Sequence, residues 1–195
     1  MKEFAILVIL LLPLDSWSAR QRMANVDRLS SKMAEDGTEF RQKRRVAICS
    51  SIGGAAGIAG INLDLNLTDH TSLSILYGFG DPFQALGFSI KRFVSGESFL
   101  PYISAGYVVW SHERPKGKYR EHTTPGILGN RFLNSTEKES GQFTENIIYP
   151  GLGLQYVQLS GPWAGTTMFL ELQALIDVDD FQTAATGALG VSYYF

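Results

Sequence analysis

From Val46 to Phe195 the chain sets apolar residues at every second position, and this period constrains its fold more than any other feature. Ile61, Leu63, Leu65 and Leu67 alternate with Asn62, Asp64 and Asn66. Leu73, Ile75, Tyr77 and Phe79 alternate with Ser72, Ser74, Leu76 and Gly78. The same rhythm runs through Leu86–Ile90, Met168–Ile176 and Leu189–Phe195. Successive side chains of a strand point to opposite faces, so each segment carries one apolar face and one small or polar face. Eight such segments can be counted, at 45–53, 57–67, 71–80, 83–94, 99–112, 146–158, 166–178 and 183–195. Strands of about ten residues match a tilted membrane crossing.

The first eighteen residues read as a secretory signal peptide: Lys2, an apolar run from Phe4 to Leu12, then small residues at Ser16 and Ser18. Such a run is too short for a membrane-spanning helix, which needs about 20 apolar residues. An uncleaved anchor is the alternative. No later stretch holds 18 consecutive apolar residues, so a mature chain that crosses a membrane must do so as a closed barrel. Residues 19–45 differ in character, with eight basic residues against four acidic ones. Met23, Val26, Leu29 and Met33 recur there at helical spacing, so an amphipathic helix on lipid headgroups and a disordered linker are both open.

Charged residues make up 18% of the chain, below the roughly 25% of a soluble domain. Twenty glycines and 12% aromatic residues accompany that deficit, as expected of strands whose surface meets something other than water. The net charge of −2 and the absence of a basic surface within the strands argue against nucleic acid as a partner. Cys49 is the single cysteine, which excludes an internal disulfide and reads as a small packing residue.

Alternation alone does not say which face is outside. A soluble ligand-binding barrel would put its apolar face inward. Three features point the other way. The minority face is Gly, Ala, Ser, Asn and Gln, which suits a narrow lumen better than a solvated wall. Aromatic residues gather near strand ends (Tyr77, Phe79, Phe83, Phe93, Phe99, Tyr107, Trp110, Tyr149, Tyr156 and Tyr193 to Phe195), where interfacial girdles belong. Finally, if the chain starts from the periplasm, the long polar insertion 113–145 follows an outward strand and lies outside the cell. The turns at 68–70, 95–98 and 159–165 then fall on the periplasmic side.

The ending Gly190-Val191-Ser192-Tyr193-Tyr194-Phe195 resembles the last strand of bacterial outer-membrane barrels. Over 46–195 the pattern is similar to the small eight-stranded OmpA-like and OmpX-like proteins. The resemblance implies an all-β, eight-stranded antiparallel transmembrane barrel with a short N-terminal periplasmic segment. It implies a monomer in the outer membrane of a Gram-negative bacterium, in contact with lipid and lipopolysaccharide. Tyr193 and Phe195 would belong to the signal read by the barrel-assembly machinery.

Candidate chemistry is sparse. Asp64, Lys91, Glu171 and Asp177 fall on the polar faces, and a charge inside a narrow barrel must be paired or hydrated. Glu171 is expected to pair with Lys91, or with Arg92 if the register slips. Tyr102, Tyr149, Phe169 and Tyr194 are expected inward, with Gly87, Gly106, Gly151, Gly153 and Gly190 making room for the large groups. Trp110-Ser111-His112-Glu113 sets hydroxyl, imidazole and carboxylate side by side, as in lipid A acyl chemistry, but neighbours on a strand face opposite ways and cannot easily share a proton. Asp177, Asp179 and Asp180 read as an exposed acidic turn rather than a metal site, and no cofactor is implied. The insertion 113–145 is the candidate contact for a surface ligand. The functional expectation is a non-enzymatic barrel with a structural, surface-contact or minor permeability role; a lipid-modifying enzyme and a soluble binding barrel are the alternatives. Deleting Phe195, or replacing it by a charged residue, is expected to lower the yield of inserted barrel, measured as the heat-modifiable folded band in membrane fractions; unchanged insertion would remove the C-terminal signal.

Overall fold

The computed structural model describes residues 36–80, 83–112 and 125–195. The signal peptide expected at 1–18, the helical spacing at Met23–Met33 and the first part of the long insertion lie outside these residues. The described elements are α1 (Gly37–Lys43), β1 (Val46–Gly53), β2 (Ala59–Asn66), β3 (Thr71–Phe79), β4 (Gln84–Phe93), β5 (Phe99–His112), α2 (Ser135–Ser140), β6 (Phe143–Val157), β7 (Thr166–Asp177) and β8 (Thr183–Tyr194). Each strand pairs antiparallel with the next, and β8 returns to β1 to close an eight-stranded barrel. The closing seam runs from Ala47 opposite Tyr194 to Gly53 opposite Ala188. Closure leaves no unpaired edge.

Strand bounds fall close to those read from the periodicity, with one informative exception. β6 starts at Phe143, three residues earlier than expected, because Phe143 and Glu145 continue the inward rhythm opposite His112 and Trp110 of β5. Pro150 stands in the middle of β6 and has no N–H to give. Paired residues between β6 and β7 accordingly skip from Ile148 opposite Ile176 to Gly151 opposite Gln173.

The barrel has two ends. α1, the last strand's end and the short turns β2–β3, β4–β5 and β6–β7 share one, here the terminal end. The other four connections share the loop end. The outward faces are apolar from one end to the other: Ile48, Ile61, Leu63, Ile75, Leu86, Phe88, Ile90, Leu152, Leu170, Leu172 and Leu189 are all exposed. Among the described outward strand positions only Arg92 is charged. A soluble barrel would show the reverse.

The aromatic residues divide in a way that periodicity near strand ends does not reveal. Tyr77, Phe79, Phe99, Tyr193 and Phe195 stand outside, at the two ends of the apolar belt. Phe83, Phe93, Trp110 and Tyr149, expected in the same girdles, are buried inside the barrel. Parity decides the difference: each of these four shares the face of a small or polar inward row, not that of an aliphatic outward one.

Inside, rings lie over glycines directly across the sheet. Tyr102 is opposite Gly153, Tyr149 opposite Gly106, and Phe169 opposite Gly190. A methyl group at any of those glycines would collide with the facing ring. Gly151 plays the same part for Ser104 and Glu171, whereas Gly87 faces the backbone of Tyr107 and Val108. Gly153→Val is therefore expected to destabilise the folded barrel by about 1–3 kcal/mol through overpacking. Gly126→Ala, where nothing lies within 4 Å, should stay within about 0.5 kcal/mol of the parent. Urea unfolding in detergent micelles reads both.

Candidate functional site

The interior is filled in three layers: a polar middle and a plug at each end. In the middle, Lys91 Nζ lies 3.1 Å from Asp64 Oδ2, with the two residues 6% and 3% exposed. They sit on β4 and β2, and β3 runs between them with Ser72 and Ser74 turned inward. Small serines leave the lysine stem room to cross that strand. The ammonium also lies 5.2 Å from the centre of the Phe169 ring, within cation–π range.

Glu171 has a different environment from the one expected. Its carboxylate accepts hydrogen bonds from Tyr102 Oη (2.8 Å), Ser104 Oγ (2.6 Å) and Gln173 Nε2 (3.0 Å). The anticipated Glu171–Lys91 ion pair is thus replaced by Lys91–Asp64, and Arg92 points outward and takes no part. The reason is local. β5 and β7 supply three neutral donors around Glu171, and Gly151 leaves the space they converge on. A cavity of about 30 Å³ remains beside Lys91, Glu171, Asn62 and Ser89, room for about one water. Cys49 is buried in this layer, with Asn62 Nδ2 donating to its sulfur at 3.7 Å.

At the loop end the β1–β2 connection folds back into the barrel. Gly53 and Gly54 hold φ of 76° and 63°, which glycine adopts at no steric cost, and this reversal drives Ala55 and Ala56 inward. Ala55 N–H donates to Gln173 Oε1 (2.7 Å), and Trp110 Nε1 donates to the Ala55 carbonyl (2.8 Å). Phe83 and Phe132 pack edge-on against Trp110, with ring centres 5.6 and 6.0 Å away. Leu128, Ile147 and Leu175 complete an apolar stopper. The long insertion is therefore not simply polar: Leu128, Phe132 and Leu133 are buried in the mouth. Beyond them Asn134 and Glu137 form a reciprocal capping box that starts α2.

Asp177 lies at this end, 1% exposed, where it is joined to Glu145 by a hydrogen bond and accepts from Asp179 N–H (2.8 Å). It is no part of an exposed turn, although Asp179 and Asp180 are. A strand starting at 146 misses Glu145; the alternation extended to Phe143 places it inward. Ser111 and His112 face opposite sides of the wall, His112 edge-on to Phe143 at 5.7 Å, and Glu113 lies outside the described residues.

α1 closes the terminal end. Asp36 caps it, accepting from Glu39 N–H at 2.7 Å. Phe40 packs edge-on against Tyr194 at 5.8 Å, and the Arg41 guanidinium lies 3.6 Å from the centre of the Phe93 ring. The helix is tied to each of the three turns at this end. Gly37 N–H donates to the Glu97 carbonyl (2.9 Å), Arg41 Nε to the Asp69 carbonyl (3.2 Å), and Arg44 Nη1 to the Ala164 carbonyl (3.1 Å). Arg44 also reaches the Tyr194 carbonyl (3.0 Å), and Asn66 Nδ2 donates to the Arg44 carbonyl (2.8 Å). Burial lowers the Arg41 pKa from the ordinary guanidinium value, opposed by Tyr194, Asp64 and Asp69. The helical spacing at Met23–Met33 lies outside the described residues, whereas the C-terminal part of the basic segment forms a short helix packed into the end of the barrel. Its aromatic residue and two arginines find partners only where the three turns converge.

In fold, the chain is similar to the N-terminal β-barrel domain of Pseudomonas aeruginosa OprF. The two superpose with a TM-score of 0.54 at 18% sequence identity, over 78% of this chain and 98% of that one. No family model and no curated protein matches the sequence. The strand count, antiparallel order and closure expected from the sequence are therefore shared with that β-barrel domain.

Breaking a buried ion pair by removing one partner costs about 3–5 kcal/mol, because the other charge stays behind. Asp64→Asn should show a loss of that order in urea unfolding, and Asp64→Asn with Lys91→Met should recover most of it. A loss in the double variant equal to the sum of the Asp64→Asn and Lys91→Met losses would mean that the pair is not coupled.

Proposed function

We propose that this chain is an integral outer-membrane protein whose barrel is closed to solutes and serves as a structural, surface-presenting element. The observation that carries the reading is the inverted distribution of side chains. The described outer wall holds a single charge, whereas the lumen holds Asp64, Lys91, Glu145, Glu171 and Asp177. An apolar outer belt with aromatic residues at both ends fits lipid, and the fold similarity to an outer-membrane barrel domain supports the same compartment. The terminal end faces the periplasm and the loop end the cell exterior, in keeping with short turns at one and the long β5–β6 connection at the other.

A structural role is favoured over permeability because both mouths are stoppered. An eight-stranded barrel has an interior only wide enough for side chains to fill, and here the β1–β2 turn and α1 add backbone at each end. Surface contact falls to the β5–β6 connection, whose buried Leu128, Phe132 and Leu133 anchor α2 at the loop end.

Two measurements test this reading. The mature protein is expected in outer-membrane fractions and to stay there through high-salt washing; recovery as a soluble periplasmic protein would contradict it. In planar bilayers the folded wild-type protein is expected to show no large, stable conductance. A conductance like that of porins with about 16 strands would refute the filled lumen.

A further inference from the structure

We propose that the cavity between α1 and the β2–β3 turn binds a phosphate group. The cavity has a volume of about 260 Å³ and is lined by Arg41, Arg45, Asn66, Leu67, Thr68 and Asp69 among others. Three features give it the chemistry of an anion site.

The first is Arg41, a guanidinium that is 1% exposed and makes no ion pair among the described residues. Its face rests on Phe93, its Nε donates to the Asp69 carbonyl and its Nη1 lies 3.5 Å from Tyr194 Oη, but Nη2 has no hydrogen-bond partner. In a planar guanidinium Nε–H and one Nη2–H are parallel along one edge, the edge that grips carboxylate or phosphate with two prongs. Nε is already engaged on that edge by the Asp69 carbonyl, so Nη2 is its remaining prong, on a residue that lines the cavity. Asp64 and Asp69 attract this guanidinium from nearby without forming an ion pair with it, and its Nη2 hydrogens remain without an acceptor.

The second is the surrounding charge. Arg45 is exposed on the rim and supplies another guanidinium. Thr68 Oγ1 accepts from both His70 N–H (3.2 Å) and Thr71 N–H (3.0 Å), which leaves its own hydrogen to donate. Asp69 is the one carboxylate on the wall, and it is engaged by His70 Nδ1 at 2.9 Å, a contact that holds its pKa below the usual carboxylate range.

The third is position. Leu67, on the cavity lining, is exposed at the start of the apolar outer belt. A phosphate held there sits at the level where headgroups meet the end of the barrel, so the same chemistry can come from a phospholipid or from free phosphate.

The test uses the full mature chain folded in octyl glucoside micelles, which contain no phosphate. Isothermal titration is run with inorganic phosphate and, separately, with dihexanoyl phosphatidylglycerol. Saturable binding of either is expected. Arg41→Lys keeps the charge but loses the two-pronged edge, and should weaken binding about tenfold, as for loss of one charge-assisted hydrogen bond. Folding of this variant is checked by its unheated mobility in SDS gels. Arg45→Ala with Thr68→Val, both away from the Phe93 stack, should weaken binding to a similar degree and decides the matter if Arg41→Lys fails to fold. Tighter binding of phosphatidylglycerol than of phosphate assigns the site to a lipid headgroup, and binding of phosphate alone assigns it to a solute. No saturable binding of either probe, or binding unchanged in the Arg45/Thr68 variant, overturns the proposal. Neither outcome bears on the membrane location or the closed lumen.

Discussion

The seam between β8 and β1 is the interaction on which the rest of this structure depends. Seven other strand pairs join neighbours in sequence, all but β5–β6 through short connections. The last must bring Ala47 to Tyr194 across nearly the whole barrel. Until it forms, the sheet has two edges whose N–H and C=O groups need water, and no such arrangement is tolerated in hydrocarbon. Once it forms, every strand is interior, and the outward rows can be apolar without inviting edge-to-edge association. The C-terminal residue takes part directly: Phe195 N–H donates to the Val46 carbonyl at 2.9 Å, while its ring stands outside against Tyr193.

Closure at eight strands sets a narrow bore, and the interior reads as a solution to filling it. Rings need more room than the bore offers on every row, so Tyr102, Tyr149 and Phe169 each lie over a cross-strand glycine. The same economy of space shapes the charges. Lys91 reaches Asp64 over serines, and Glu171 occupies the gap above Gly151 with three neutral donors. Neither arrangement leaves a wide path past the middle layer, where the remaining cavity is about 30 Å³.

The ends are closed by unlike means. At the loop end an apolar stopper is built from the β1–β2 reversal and the insertion, and water is excluded by Phe83, Trp110 and Phe132. At the terminal end a seven-residue helix is held mostly by hydrogen bonds to the carbonyls of three turns. Backbone carbonyls at turns point out of the sheet and are ready acceptors, and arginine is the side chain best suited to serve several of them at once. That arrangement also concentrates positive charge beside the start of the apolar belt, since α1 and its flank carry Arg41, Lys43, Arg44 and Arg45.

The sequence by itself determined the strands, their number, their bounds to within a few residues and the face each turns outward. All of these follow from a period of two, which is a property of single strands. It also placed Asp64, Lys91, Glu171, Tyr102 and Phe169 inward; for Asp177, Tyr149 and Tyr194 it supported both an inward face and an exposed turn or girdle, and the structure has them inside. What it left open depends on angles and distances between strands far apart in the chain. Whether Lys91 meets Asp64 or Glu171 is decided by the donors that β5 and β7 bring around Glu171 once the barrel is closed, which no local period encodes. The placing of Phe83, Phe93 and Trp110 in the plugs rather than the girdles was available from parity but is obscured by their nearness to strand ends. The role of Gly37–Lys43 was not legible at all, because its partners are the carbonyls of three turns that come together only when the barrel closes.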